Sequence, residues 1–180
     1  MLVIYYFAVT YFMAKTNDNL KAAFAGESQA NRKYLAFAKK ADEEGYSQIA
    51  KLFRAAAEAE TVHAHAHLRV MEGVKSTAEN LNEALSGETF EFTKMYPQFI
   101  QEATEENNKP ALISFNYANK VEQVHADLYK KAIEAINNKQ DLPKKDLYVC
   151  PICGDTFEGD AVPDRCPVCG VLKVRFVKIA

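Results

Sequence analysis

The 180-residue chain has no tryptophan, and only seven glycines and six prolines. A chain so poor in turn-formers cannot be built from many short strands joined by tight turns, and long helices are left as its main element. Cysteine is missing from the first 149 residues, which excludes a disulfide framework spread over the fold. An excess of positive charge is missing as well. With 22 basic and 24 acidic side chains the formal charge is −2, which argues against a general nucleic-acid or membrane-surface binder. The apolar run at residues 1–13 stops at Lys15, short of the roughly 20 residues that a membrane-spanning helix needs. It also lacks the basic start and small-residue cleavage site of a secretory signal. It is read as an extension outside the functional fold, with translation starting in the cell at Met13.

What is present is helical spacing. Residues 17–44, 47–71, 79–107 and 110–137 each carry apolar side chains at intervals of three and four. Ser47 is expected to cap the second helix, Pro97 to bend the third, and Pro110 to open the fourth. Alanine is dense at 55–59, as closely approaching helices require. A polar stretch, residues 139–146, reads as a linker. From 147 onward the pattern changes to short β-like pieces, turns and cysteines.

Two helices carry the same motif, Glu60-x-x-His63 and Glu122-x-x-His125. Positions i and i+3 lie on one face of a helix, so each pair aims a carboxylate and an imidazole at one point. Di-iron and di-manganese carboxylate bundles use two such motifs plus one glutamate from each of two further helices. Glu27 supplies the first; Glu88 and Glu91 share a face of the third helix, and spacing does not choose between them. A weak internal repeat supports the pairing, since Phe24-Ala25-Gly26-Glu27-Ser28 resembles Leu85-Ser86-Gly87-Glu88-Thr89. Carboxylates gathered without cations would repel one another, so this oxygen and nitrogen set points to two first-row ions such as iron or manganese. His65 and His67 read as ordinary exposed or flanking residues.

Cys150-Pro-Ile-Cys153-Gly and Cys166-Pro-Val-Cys169-Gly are two knuckles 12 residues apart. Four thiolates make a tetrahedral site for iron or zinc; zinc would make it a structural appendage, iron a one-electron carrier. The neighbouring di-metal motif favours iron, because such a centre needs an electron supply when it turns over.

Together, Phe24–Tyr34, Glu60-x-x-His63, Gly87–Pro97, Glu122-x-x-His125 and the knuckles resemble the rubrerythrin family over residues 14–180. The resemblance implies a mainly α protein: a ferritin-like four-helix bundle at 14–138, the linker, and a rubredoxin-like domain at 147–180. It implies a non-haem peroxidase that reduces hydrogen peroxide to water in the cytoplasm, in defence against oxidative stress, with no membrane or nucleic-acid partner. Electrons would come from NAD(P)H through a rubredoxin reductase or rubredoxin to the cysteine-bound iron, then to two non-haem irons. By likeness Glu60 and Glu122 would bridge the irons, Glu27, Glu91 and His125 would be terminal ligands, and His63 would ligate at least in the reduced state. Tyr34 would donate a hydrogen bond to a ligand. A homodimer or larger assembly is implied, with one subunit's rubredoxin-like domain near the other's di-iron site. Lys94 is expected to be a departure, standing where a second glutamate three residues after the first is usual; His63 would then stay bound in both redox states, or Glu88 would swing in. The alternative function is a ferritin-like ferroxidase handling iron, with a structural zinc ribbon.

Overall fold

The computed structural model describes residues 2–159 and 162–179, with the side chains of residues 2–14 left out. It divides into two compact units, residues 1–75 and 76–180. The first is a helical hairpin of α1 (Leu2–Glu43) and α2 (Ser47–Val70). α1 thus begins within the apolar extension. No helix among the described residues is long and apolar enough to cross a membrane.

The hairpin closes on small side chains. Ala50, Ala57 and Ala64 recur every seven residues along α2 and are all buried, opposite buried Ala38 and Ala41 of α1. Seven residues are close to two helical turns, so the alanines form one stripe along which the backbones can approach. Asn31, also buried, ties the helices together by donating to the Ala57 carbonyl at 2.7 Å and to Thr61 Oγ1 at 2.8 Å. The turn between the helices uses Gly45 at φ +85°. Ser47 is not the cap expected of it: Tyr46 occupies that position without a side-chain cap bond, and Ser47 starts the helix itself.

The second unit begins with α3 (Thr77–Phe90), opened by a capping box in which Ser76 and Glu79 bond each other's backbone N–H. A π-helical turn (Glu91–Met95) follows, then α4 (Tyr96–Glu105) and α5 (Lys109–Asn137). The expected disturbance at Pro97 therefore takes the form of a wider turn just before it. Pro97, with no N–H to give, sits in the first turn of α4, where none is needed. Asn108 caps α5 by accepting from the Ala111 N–H, with Pro110 at its start as expected.

Three short strands complete the unit: β1 (Leu147–Val149), β2 (Thr156–Glu158) and β3 (Val177–Ile179), antiparallel in the order β2-β1-β3. Phe157 and Phe176 stack at 5.0 Å. Beside so small a sheet, Cys150, Cys166 and Asp155 are buried in the cysteine loops.

Candidate metal centres

Among the described residues, three groups of metal-binding side chains come together: Glu27, Glu60 and His63; Glu88, Glu122 and His125; and the four cysteines. Within each group the ligand atoms lie within 4.8 Å of one another.

In the first hairpin, α1 offers Glu27 and α2 offers Glu60 and His63. His63 Nδ1 is 3.1 Å from Glu60 Oε2, and the imidazole side chain is 55% exposed. A hydrogen bond with Glu60 raises the pKa of Glu27 above the ordinary carboxylate value, and that of Glu60 is lowered by the same bond and by one to His63. The hydrogen bond thus pushes the two carboxyls in opposite directions. His67 lies close enough for its charge to be felt by Glu27, and His65 is exposed.

In the second unit, α3 offers Glu88 and α5 offers Glu122 and His125. His125 Nδ1 is 2.8 Å from Glu122 Oε2 and 3.9 Å from Glu88 Oε1, and all three side chains are less than 30% exposed. Burial, then a hydrogen bond and repulsion from Glu122, push Glu88 up to about 7. Glu91, on the π-helical turn, lies outside the 4.8 Å group but within electrostatic reach. Its pKa is raised by burial and then by Glu122, with His125 opposing.

The geometry thus selects Glu88 for the compact set, as the internal repeat suggests, where the likeness favoured Glu91. It also moves the pair of glutamates three residues apart to Glu88 and Glu91. Lys94, one turn further on, is exposed, so no ammonium occupies a ligand position.

The repeat extends further than the motifs. Tyr34, Phe37 and Phe53 pack together with ring centroids 5.6–6.3 Å apart; Tyr96, Phe99 and Phe115 do so at 5.5–6.3 Å. Each member of the second triad lies 62 residues after its counterpart, as do Glu122 and His125 after Glu60 and His63, whereas Glu88 lies 61 after Glu27. The odd residue falls in the π-helical turn, which holds one more residue than an α-helical pattern would. The insertion lets Glu88 and Tyr96, eight apart, serve one face, and it brings Glu91 toward Glu122. Tyr96 is a site residue that the motif search missed, although its place in the repeat opposite Tyr34 marks it. Burial and the charges of Glu91, Glu122 and Glu88 raise the pKa of its phenol above the usual value.

At the cysteine site, Cys150 and Cys169 sulfurs are 3.5 Å apart, as are those of Cys153 and Cys166. Tetrahedral bonds of about 2.3 Å put sulfurs about 3.8 Å apart, so the four thiols fit one ion. Gly154 and Gly170, at φ +87° and +77°, close matching turns by bonding back to the Cys150 and Cys166 carbonyls. Burial pushes Cys166 up to about 11 and Cys153 higher still; at Cys150 burial also raises the pKa, but backbone N–H groups of Cys153 and Ile152 outweigh it. Such thiols ionise fully only when a cation is present to balance them.

This site packs on α5. His125 Nε2 is 3.0 Å from Thr156 Oγ1 at the start of β2, Lys131 pairs with Glu158 at 2.7 Å, and a side chain on Gly154 would touch Val121.

Comparisons with known proteins agree. The family profile described as Rubrerythrin matches residues 18–133, and that of the rubrerythrin rubredoxin-like domain matches 148–177. Nigerythrin of Nitratidesulfovibrio vulgaris is 39% identical over 172 residues, covering 87% of this chain and 83% of its own. Rubrerythrin-2 of Clostridium acetobutylicum is 33% identical, covering 91% and 96%. Solved structures of nigerythrin in mixed-valence and all-ferrous states align with TM-scores of 0.54 and 0.55, at 38% and 37% identity over 91% of this chain and 86% of theirs. The cofactors follow: a di-iron site in the ferritin-like domain, for which each unit carries a glutamate–histidine group, and a rubredoxin-like site of four cysteines. With both profiles and both ligand classes present in one sequence, the chain belongs to the rubrerythrin family of oxidoreductases.

Proposed function

We propose that the protein is a peroxidase that reduces hydrogen peroxide to water, two electrons and two protons per peroxide giving two waters. The electrons enter singly through iron at Cys150, Cys153, Cys166 and Cys169, and two turnovers of that carrier serve one peroxide. The observation that carries this reading is the tie between the cysteine loop and His125 in one compact unit: Thr156 bonds both Gly154, beside Cys153, and His125. A purely structural zinc ribbon gains nothing from hydrogen-bonding a ligand of the di-iron set. The bound irons supply the redox chemistry on the peroxide oxygens.

The chain's own residues do the rest. Glu27, Glu60 and His63 would hold one ion, and Glu88, Glu122 and His125 the other, with Glu91 beside them. Tyr96 keeps its proton and presents an O–H donor next to three carboxylates.

The cysteine loop reaches a set on its own chain, whereas the family likeness pointed to a partner subunit's. Assembly remains part of the proposal, as a homodimer or larger. Leu52, Val62 and Val70 of α2, and Phe90 and Ile113 in the second unit, are each more than half exposed. Apolar surface on this scale is commonly covered by a partner. The reductant is an NAD(P)H-dependent rubredoxin reductase or a rubredoxin, acting in the cytoplasm.

The test is a stopped-flow comparison of wild type with Cys150→Ser, both iron-loaded and anaerobically reduced. Peroxide reoxidises the cysteine-bound iron of the wild type within the time of turnover. The variant, lacking that iron, still oxidises its carboxylate-bound iron once but does not turn over with reductase and NAD(P)H. Sustained turnover by the variant would shift the reading to a ferroxidase with a structural ribbon.

A further inference from the structure

His125 differs from His63 in one respect that the ligand motif does not contain: its far nitrogen is held. Thr156 Oγ1 lies 3.2 Å from the Gly154 carbonyl oxygen and 3.0 Å from His125 Nε2. A threonine hydroxyl has one hydrogen, and a carbonyl can only accept, so that hydrogen goes to Gly154. The lone pair left on Oγ1 must then receive from His125, which places the imidazole proton on Nε2. An imidazole that ligates a metal ion is neutral and carries one N–H, so with Nε2 protonated Nδ1 is the nitrogen left to bind the ion. Nδ1 is the atom that faces Glu122 at 2.8 Å and Glu88 at 3.9 Å, where an ion would be bound. Among the described residues His63 has no such partner at Nε2; its one hydrogen-bond partner is Glu60, at Nδ1.

We propose that Thr156 is a positioning residue for the di-iron site: its hydroxyl fixes the tautomer and ring orientation of His125 so that Nδ1 is presented to the metal. The fixing group comes from the loop that carries Cys150 and Cys153. Because Gly154 follows Cys153 directly, closing the cysteine knuckle around its ion orders the carbonyl that orients Thr156, and through it a ligand of the second centre. Assembly of the two metal sites is thereby coupled within one chain. The arrangement serves any oxidant, so this proposal can fail while the peroxidase reading stands, and the reverse.

The test uses full-length zinc-loaded protein, with Thr156→Ser keeping the hydroxyl and Thr156→Val keeping the shape without it. Two readouts are taken: solvent exchange of the His125 Nε2 proton by proton–nitrogen correlation NMR, and zinc affinity of the Glu88–Glu122–His125 set by chelator competition. Loss of an outer partner of a metal-bound histidine weakens binding by roughly 10- to 100-fold. Valine is therefore expected to weaken zinc binding at this set at least about tenfold and to speed proton exchange by a comparable factor, with cysteine-bound zinc retained. Serine should stay within about twofold of wild type in both. The Glu27–Glu60–His63 set should not change in any variant, which separates positioning from general loosening. If valine leaves exchange and affinity at wild-type values, or if serine is as damaging as valine, the hydroxyl does not position His125 and the proposal falls. Thr156→Ala replaces valine, with the same expected outcomes, if valine disturbs β2.

Discussion

The chain writes one ligand set twice and surrounds the copies differently. Glu27, Glu60 and His63 lie on the α1–α2 hairpin, with His63 more than half exposed and the two carboxyls hydrogen-bonded to each other. Glu88, Glu122 and His125 are more enclosed, flanked by Glu91 and Tyr96, and touched from outside by Thr156. The ligand types are identical, so the differences in protonation come from burial, neighbouring charge and a one-residue insertion. A motif fixes which atoms can ligate; the surroundings fix how tightly and at what pH.

The comparison breaks most completely if a ligand is removed. Glu122→Ala should lose one iron per chain and reduce peroxide turnover more than about 100-fold, beyond the range for losses outside the ligand shell. Glu60→Ala should lose the other iron, and metal analysis with steady-state kinetics reads both. Next in size is the π-helical turn. Deleting Thr93 gives Glu88 and Tyr96 the seven-residue spacing of Glu27 and Tyr34, so the helix should still form. Glu91 would be carried away from Glu122, and iron affinity at that set should fall about tenfold, with the first set unaffected.

A smaller effect sharpens the contrast from the other side. Asn31→Ala removes the buried bridge from α1 to Ala57 and Thr61, and should cost about 1–2 kcal/mol in denaturant unfolding of the first hairpin. Thr93, its counterpart in the repeat, bonds only within its own helix to the Thr89 carbonyl, so Thr93→Ala should cost less.

The smallest effect is on pH dependence. Glu88 has an ordinary value of 4.5 when unfolded and about 7 when folded. The folded state then binds the extra proton between those values, so this contribution to stability is full below about pH 4.5 and is lost as pH rises through about 7. Thermal melts of chelator-treated protein should show that decline, and Glu88→Gln should flatten it. Iron needs the ionised carboxylate, so loading at this set should strengthen over the same interval and release a proton.

Much of this is legible in the amino-acid sequence. Helical spacing, the two Glu-x-x-His motifs and the paired cysteine knuckles are local patterns with fixed physical meaning, and they lead to the helices, the ligand sets and the sulfur cage. Ser47 misleads because a hydroxyl near a helix start is only a candidate cap until the preceding backbone is known. The choice between Glu88 and Glu91 cannot be read from spacing, since a π-helical turn alters the intervals on which face assignments depend. The change of offset in the repeat from 61 to 62 residues marks where that turn falls. Thr156 is invisible for another reason: it meets His125 across 31 residues, and nothing local announces such a contact.

On the proposed function, the carboxylate–histidine sets hold an iron pair and a cysteine-bound iron supplies it with electrons. The most direct measurement is metal content and visible absorption of protein produced with iron and without added zinc, followed through anaerobic reduction and one equivalent of peroxide. About three irons per chain are expected, two in the carboxylate–histidine sets and one among the thiolates. The thiolate–iron band should bleach on reduction and return promptly with peroxide. A colourless cysteine site with iron only in the glutamate–histidine sets, or a band that peroxide fails to restore, would contradict it.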